Sequence, residues 1–226
     1  VKGVRAILFD AGGTLIHIDG ERVCGAAGLP FDPERFRKAE SAAVSAVRAF
    51  VLENPGSRDA ERLRLYLDAM LGDLGLTEDS ARLQAARRVG EEHQRANLWS
   101  RPAARAAETL AALAARRYRI AVVSNADGRV RALLDAAGLS PWLEFIVDSA
   151  EVGVEKPDPR IFHAATERLG LPPGACAYVG DIYEIDVVGA DGAGLVPVLI
   201  GDGAAPESVV RVPDLWGLLT VFAGLA

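Results

Sequence analysis

The sequence predicts an α/β protein: a doubly wound parallel sheet with an all-helical segment inserted after its first strand. Three observations predict it. A short apolar run, Ala6-Ile7-Leu8-Phe9, stops at Asp10 and passes into Gly12-Gly13-Thr14, the pattern of a buried strand that ends in a tight loop. The stretch that follows, to about residue 100, repeats its apolar residues at helical spacing and carries no strand pattern. From Arg101-Pro102 onward helical and strand patterns alternate, as they do where helices cover both faces of a parallel sheet.

After Thr14 the chain leaves the sheet through Ile16-His17-Ile18-Asp19. Asp32-Pro33 reads as a helix cap followed by a first-turn proline, and Phe36, Ala43, Val47, Phe50 and Val51 then recur at helical spacing. Asn54-Pro55-Gly56 breaks that helix. Leu63, Tyr66, Leu67, Met70, Leu71 and Leu74 form the stripe of a second, closed by Gly75, and Thr77-Glu78-Asp79-Ser80 caps a third that runs towards Trp99. The expected division is a sheet domain of residues 1–16 and 101–226 and a helical insert of residues 17–100.

In the second part, an Ala-rich helix (Ala103 to Arg117) leads to the strand Tyr118–Val123, which ends at Ser124-Asn125. Asp127 is read as the cap of the next helix and Gly138 as its stop. Phe145-Ile146-Val147 is a short strand, and the loop from Glu151 to Asp158 carries Lys156-Pro157. A helix from Pro159 to Leu169, stopped by Gly170, precedes the strand Ala175–Val179, which ends at Gly180-Asp181. The strand Leu195–Ile200 and a closing helix from Pro213 complete the pattern.

The 226 residues suffice for one large domain or for a core with an insert, and 50% hydrophobic with 25% charged residues is a globular composition. A formal charge of -6 argues against nucleic-acid binding, which needs a basic surface to displace counterions. Small-molecule chemistry is favoured. Lys2, Lys38 and Lys156 are the only lysines, so a lysine on a loop between strand and helix stands out. Cys24 and Cys176 lie far apart, without metal-ligand or redox spacing, and read as reduced core thiols. The apolar run before Asp10 is too short for a signal-peptide core, and Leu215 to Ala226 falls short of the roughly 20 residues that cross a bilayer. The expectation is a cytoplasmic protein, monomer or homodimer, with neither membrane nor nucleic acid as a partner.

Asp10, Thr14, Ser124, Asn125, Lys156, Asp181 and Asp186 all stand just beyond predicted strands. Strand ends of a parallel sheet share one edge, so these groups converge in space. Carboxylates brought close together resist ionisation unless a cation joins them, which points to a metal.

Four stretches carry this set: FDAGGTL with Asp10, VVSN with Ser124, EKPDP with Lys156, and VGDIYEID with Asp181 and Asp186. In order and in strand context they match the four motifs of the haloacid dehalogenase superfamily, which the chain resembles over its whole length. The resemblance implies a Rossmann-like catalytic core with a helical cap. It further implies a Mg2+-dependent phosphatase that acts on a small phosphorylated metabolite through an aspartyl-phosphate. Asp10 would be the nucleophile. The magnesium ion would bind the Asp10 carboxylate, the Gly12 carbonyl and Asp181, with Asp186 holding a metal-bound water. Ser124 and the backbone N–H of Asn125 would bind phosphoryl oxygens, Lys156 would neutralise charge growing on them, and Thr14 would steady the same region.

One position departs from the family pattern. Phosphatases of the family carry a second Asp two residues past the nucleophile as general acid, and here that position is Gly12. Losing a positioned acid costs about a hundredfold to ten-thousandfold. Family members without this Asp include dehalogenases, which use no metal and lack the acidic fourth motif, and phosphonatases, which need a cap lysine for which Lys38 is the candidate. A degenerate member that binds a phosphorylated ligand without turnover is a further alternative. His17 could supply the missing proton or simply pack, while His93 and His163 read as ordinary helix-face residues.

Overall fold

The computed structural model describes residues 3–203 and 205–223. Residues Ala6–Phe9 (β1) are buried at all four positions, as a strand flanked by neighbours and covered on both faces requires. β1 pairs in parallel with Arg119–Ser124 (β4) on one side and with Cys176–Gly180 (β6) on the other, Phe9 lying beside Val122 and Val179. Ile146–Asp148 (β5), Val196–Ile200 (β7) and Val210–Val212 (β8) complete a six-stranded parallel sheet in the order β5-β4-β1-β6-β7-β8. The chain winds outward from β1 to β5 and then crosses back to β6. That reversal sits beside β1, and it is where an open parallel sheet leaves a crevice at its carboxyl edge.

The helices of this part are Ala106–Ala115 (α5), Val130–Ala136 (α6), Ser149–Val152 (α7), Pro159–Leu169 (α8), Val188–Gly192 (α9) and Leu218–Val221 (α10). α8 shows why the sequence signals work. Asp158 caps it by accepting from the Arg160 N–H, Pro159 opens it, and Gly170 closes it in the left-handed region at φ 63°. Its buried face, Ile161, Phe162, Ala165 and Leu169, packs on Ala6, Leu8, Val123 and Tyr178. Ile7 and Phe9, alternate along the strand, belong to the opposite face of the sheet.

The chain divides into two compact units, Val1–His17 with Arg101–Ala226, and Ile18–Ser100. The second contains Gly20–Ala27 (α1), Pro33–Glu53 (α2), Asp59–Asp73 (α3) and Asp79–Arg95 (α4). Asp32 and Pro33 open α2 as the sequence implies, and its stripe Phe36, Ala39, Ala43, Val47 and Val51 is buried. Arg22 on α1 holds Glu92 on α4 at 2.8 Å and donates to the Asn97 carbonyl at 2.9 Å, tying the ends of the helical unit to each other.

Several expectations need correction. The insert was expected to hold three helices and no strand; α1 is an additional helix, capped by Asp19 and closed by Gly28. Its eight residues include Gly20 and Gly25, which hide a helical pattern. Ile16–Ile18 (β2) and Trp99–Pro102 (β3) form a separate two-stranded sheet, and β8 is another three-residue strand too short to show a period. The third expected helix, α4, ends at Arg95 rather than running on towards Trp99, the buried His93 ring accepting from the Leu98 N–H at 3.3 Å. Asp127 does not cap α6, which starts at Val130; it accepts from the Arg129 N–H and pairs with the Arg129 guanidinium. The closing helix is a short turn and α10, and residues 224–226 lie outside the described residues. Both cysteines are free and buried. Among the described residues no helix is long and apolar enough to cross a membrane.

α9 approaches closely because Gly189 has no side chain: a Cβ there would stand 2.8 Å from Phe162 Cε2 and 3.0 Å from Pro157 Cα. Gly189→Ala is expected to lower unfolding free energy by about 1–3 kcal/mol, the usual range for overpacking. Gly192→Ala, where a Cβ meets nothing within 4 Å, is the control and is expected to leave stability unchanged or raise it by up to about 1 kcal/mol. Urea denaturation of the two variants checks both.

Candidate active site

Asp10 continues β1 by one residue, its N–H donating to the Val179 carbonyl at 2.8 Å. The chain then folds back, with the Leu15 and Ile16 N–H groups both donating to the Ala11 carbonyl at 2.9 Å and Gly13 at φ 77°. Two glycines make room for two acids here. A Cβ at Gly13 would overlap the Asp181 carboxylate, and one at Gly180 would overlap that of Asp186.

Lys156 is the centre of the cluster. Its side chain is 2% exposed, and its Nζ lies 2.8 Å from Asp10 Oδ1, 2.7 Å from Asp186 Oδ1 and 2.8 Å from the Tyr178 hydroxyl. The other Asp186 oxygen accepts from the Ile182 N–H at 2.9 Å. Asp186 reaches this place through a π-helical turn, Tyr183–Val187, whose extra residue lets an acid five positions beyond Asp181 face back to Lys156.

Asn125 holds the lysine's loop. Its side-chain oxygen accepts from the Lys156 N–H at 2.7 Å and its amide donates to the Lys156 carbonyl at 3.1 Å. The side chain is thereby committed to the loop, and the backbone N–H is what Asn125 has to offer a ligand. Ser124 ends β4 buried, and among the described residues no hydrogen bond engages its hydroxyl. The loop beyond it is tied down by Asp148, which accepts from the Gly128 and Ala150 N–H groups at 3.0 and 2.9 Å. Thr14 is buried with its hydroxyl 3.5 Å from Asp181 Oδ1, too long to count for much.

The structure thus brings Asp10, Lys156, Asp181 and Asp186 into one cluster, with Thr14 directed at Asp181 and Ser124 and Asn125 at the end of the neighbouring strand. His17 is exposed in β2, and among the described residues no hydrogen bond or ion pair joins it to Asp10. Lys38 is exposed on α2, 3.1 Å from Glu34. The sequence reading missed Tyr178, the Asn125 side chain, Asp148 and the π turn. For Tyr178 the signal was a polar tip inside an otherwise apolar strand.

Burial raises the Asp10 carboxyl above its ordinary value, with Lys156 opposing and Asp186 adding to the rise. Asp181 keeps one edge at the surface, yet enclosure of its carboxyl, with Asp186 and Asp10 beside it, lifts it well above the ordinary value. Burial alone would lower Lys156, but the Asp10 and Asp186 carboxylates more than offset it, so the ammonium stays charged. Three carboxylates facing a single ammonium leave the cluster short of positive charge. Asp10, Asp181 and Asp186 each offer an oxygen, all within 4.8 Å of one another, a donor set suited to a hard divalent cation.

A family model described as haloacid dehalogenase-like hydrolase matches residues 4–194, from just before β1 to just beyond α9. The chain belongs to the haloacid dehalogenase-like hydrolases. Among the family's curated relatives, the haloacid dehalogenase-like hydrolase domain-containing protein 3 of Mus musculus is 38% identical over 103 residues, 46% of this chain and 41% of that protein. A glyceraldehyde 3-phosphate phosphatase of Methanopyrus kandleri is 42% identical over 77 residues, 34% of this chain and 33% of that protein. The matches span less than half the length of these relatives. A solved dehalogenase covers 100% of both chains at 26% identity, with a TM-score of 0.68.

The raised Asp181 carboxyl has a measurable consequence. An acid whose folded pKa lies above the unfolded value of 3.8 makes the folded state bind more protons, so stability falls as pH rises from that value through the folded pKa. With chelator present, Asp181→Asn is therefore expected to be more stable than the parent near neutral pH, and the gain should shrink as pH falls towards 3.8. Chemical denaturation of both proteins across the pH range checks it. A gain that grows on acidification would overturn the assignment.

Proposed function

We propose that the chain is a magnesium-dependent phosphatase that hydrolyses a small phosphorylated metabolite through an aspartyl-phosphate on Asp10. The observation that carries the reading is the Asp10 carboxylate at the carboxyl edge of β1, 2.8 Å from a buried ammonium and grouped with two further acids. The likeness to glyceraldehyde 3-phosphate phosphatase over part of the chain supports the substrate class.

Magnesium fits the residues present because the cluster lacks positive charge, and Asp10, the Gly12 carbonyl and Asp181 would hold it while Asp186 holds a water. When bound it offsets negative charge on the phosphoryl group and on Asp10. Asp10 attacks phosphorus, the ester oxygen departs, and water then cleaves the acyl phosphate. Lys156 opposes the rise that burial imposes on the Asp10 carboxyl and balances charge that develops on the phosphoryl oxygens. The Ser124 hydroxyl and the Asn125 N–H orient those oxygens. The helical unit is read as the cap that selects the substrate.

Gly12 offers no proton to the leaving group. An alkoxide expelled unprotonated is far less stable than a phenolate or carboxylate, so the barrier depends steeply on leaving-group basicity. The rival is dehalogenation, which Gly12 fits because halide needs no proton. Asp181 weighs against it, since beside Asp10 and Asp186 it adds a third acid for which a metal-free reaction has no use.

Acyl and aryl phosphates are expected to turn over much faster than alkyl phosphates, with all activity lost in Asp10→Asn and in chelator. Gly12→Asp should raise alkyl-ester turnover by about two orders of magnitude and change aryl-ester turnover far less. The measurement is the slope of log rate against leaving-group pKa for wild type and variant. A flat wild-type slope with chemistry rate-limiting would mean that a proton donor is present, and turnover of a 2-haloacid in chelator would favour the rival.

A further inference from the structure

We propose that Tyr178 is a positioning residue for Lys156, fixing the ammonium so that two of its three hydrogens point at Asp10 and Asp186. The inference rests on the reading of Lys156 as the charge-balancing group of the phosphatase, and it concerns a buried residue to which that reading gives no role.

A lysine side chain rotates freely about its last bond, and an ammonium carries three hydrogens. Asp10 Oδ1 at 2.8 Å and Asp186 Oδ1 at 2.7 Å take two of them. The third acceptor is the Tyr178 hydroxyl, 2.8 Å from Lys156 Nζ. That hydroxyl has one proton, and the Val123 carbonyl accepts it at 2.8 Å, which turns an oxygen lone pair towards the lysine. The alternative acceptor, Asp186 Oδ1, is 3.4 Å away and competes poorly. The phenol itself cannot swing. Its residue is 1% exposed, and Phe162 meets its ring nearly edge-on, with centroids 4.9 Å apart and an interplanar angle of 83°. Val123 immediately precedes Ser124 in β4. One hydroxyl therefore locks the lysine of the third motif to the strand that carries the serine of the second.

The low lysine content of the chain, Lys2, Lys38 and Lys156, makes a direct test practical. Protein labelled with 15N-lysine gives an ammonium spectrum in which the Lys156 signal is identified by its loss in Lys156→Arg. In Tyr178→Phe the Lys156 ammonium protons are expected to exchange with water at least about tenfold faster. The kcat for an aryl phosphate should fall about tenfold to a hundredfold, the usual cost of losing an outer-sphere partner, with KM changed far less. Unchanged exchange overturns the proposal, and so does faster exchange with kcat intact in an active enzyme. Should the wild type hydrolyse no phosphate ester, the phosphatase reading fails, and the exchange rates alone decide whether Tyr178 positions Lys156. If Tyr178→Phe does not fold, replacing the four tyrosines by 3-fluorotyrosine keeps the hydroxyl and weakens it as an acceptor. Faster Lys156 exchange is expected again, and an unchanged rate overturns the proposal.

Discussion

A single ammonium shut inside the protein between two carboxylates governs the construction of the sheet's carboxyl edge. Removing an ion from water costs several kcal/mol, and the cost is recovered only where partners stand at hydrogen-bonding distance with good geometry. Lys156 meets that condition with Asp10 and Asp186 at 2.8 and 2.7 Å. The three groups come from three segments: the end of β1, the lysine's loop, and the π turn after β6. The neighbouring details follow from bringing them together. Gly180 leaves space for Asp186, Gly189 lets α9 come down onto Pro157 and Phe162, and the Asn125 amide grips both backbone groups of Lys156.

The same cluster is unbalanced on purpose-relevant terms: one positive group cannot neutralise three acids, and both Asp10 and Asp181 feel the deficit. A site in this condition gains from any ligand that adds positive charge. Burial works against ionisation of Asp10 and Lys156 works for it, while Gly12 carries no side chain that could hold a proton. For the proposed phosphatase, that leaves displacement of groups that depart well by themselves.

How far the sequence revealed this arrangement depended on the kind of interaction. α8 was legible to the residue because Asp158, Pro159 and Gly170 are local signals. Asp10, Ser124 and Asp181 were legible because each closes an apolar run read as a buried strand, and Lys156 because it is one of three lysines and stands on a loop. Tyr178 was not, since its importance lies in Val123 and Lys156, 55 and 22 positions away in sequence. Nor was the Asn125 side chain, whose partner is another segment's backbone. β2, β3 and β8 are too short to display a period, and α1 is diluted by glycine. Asp127 looks like a helix cap, but a local ion pair with Arg129 uses it first. Local chemistry writes itself into sequence, whereas convergence of distant segments leaves only the residue type as a trace.

The π turn at Tyr183–Val187 also bears on how this segment can change over evolutionary time. An α-helix advances about 100° per residue, so losing one residue from the turn would swing Asp186 by roughly that angle, away from Lys156. Substitutions at the intervening positions leave the register intact, but a one-residue deletion or duplication does not. Length between the two acids is thus a heritable character in its own right, open to exchange only if the lysine's loop shifts in the same step.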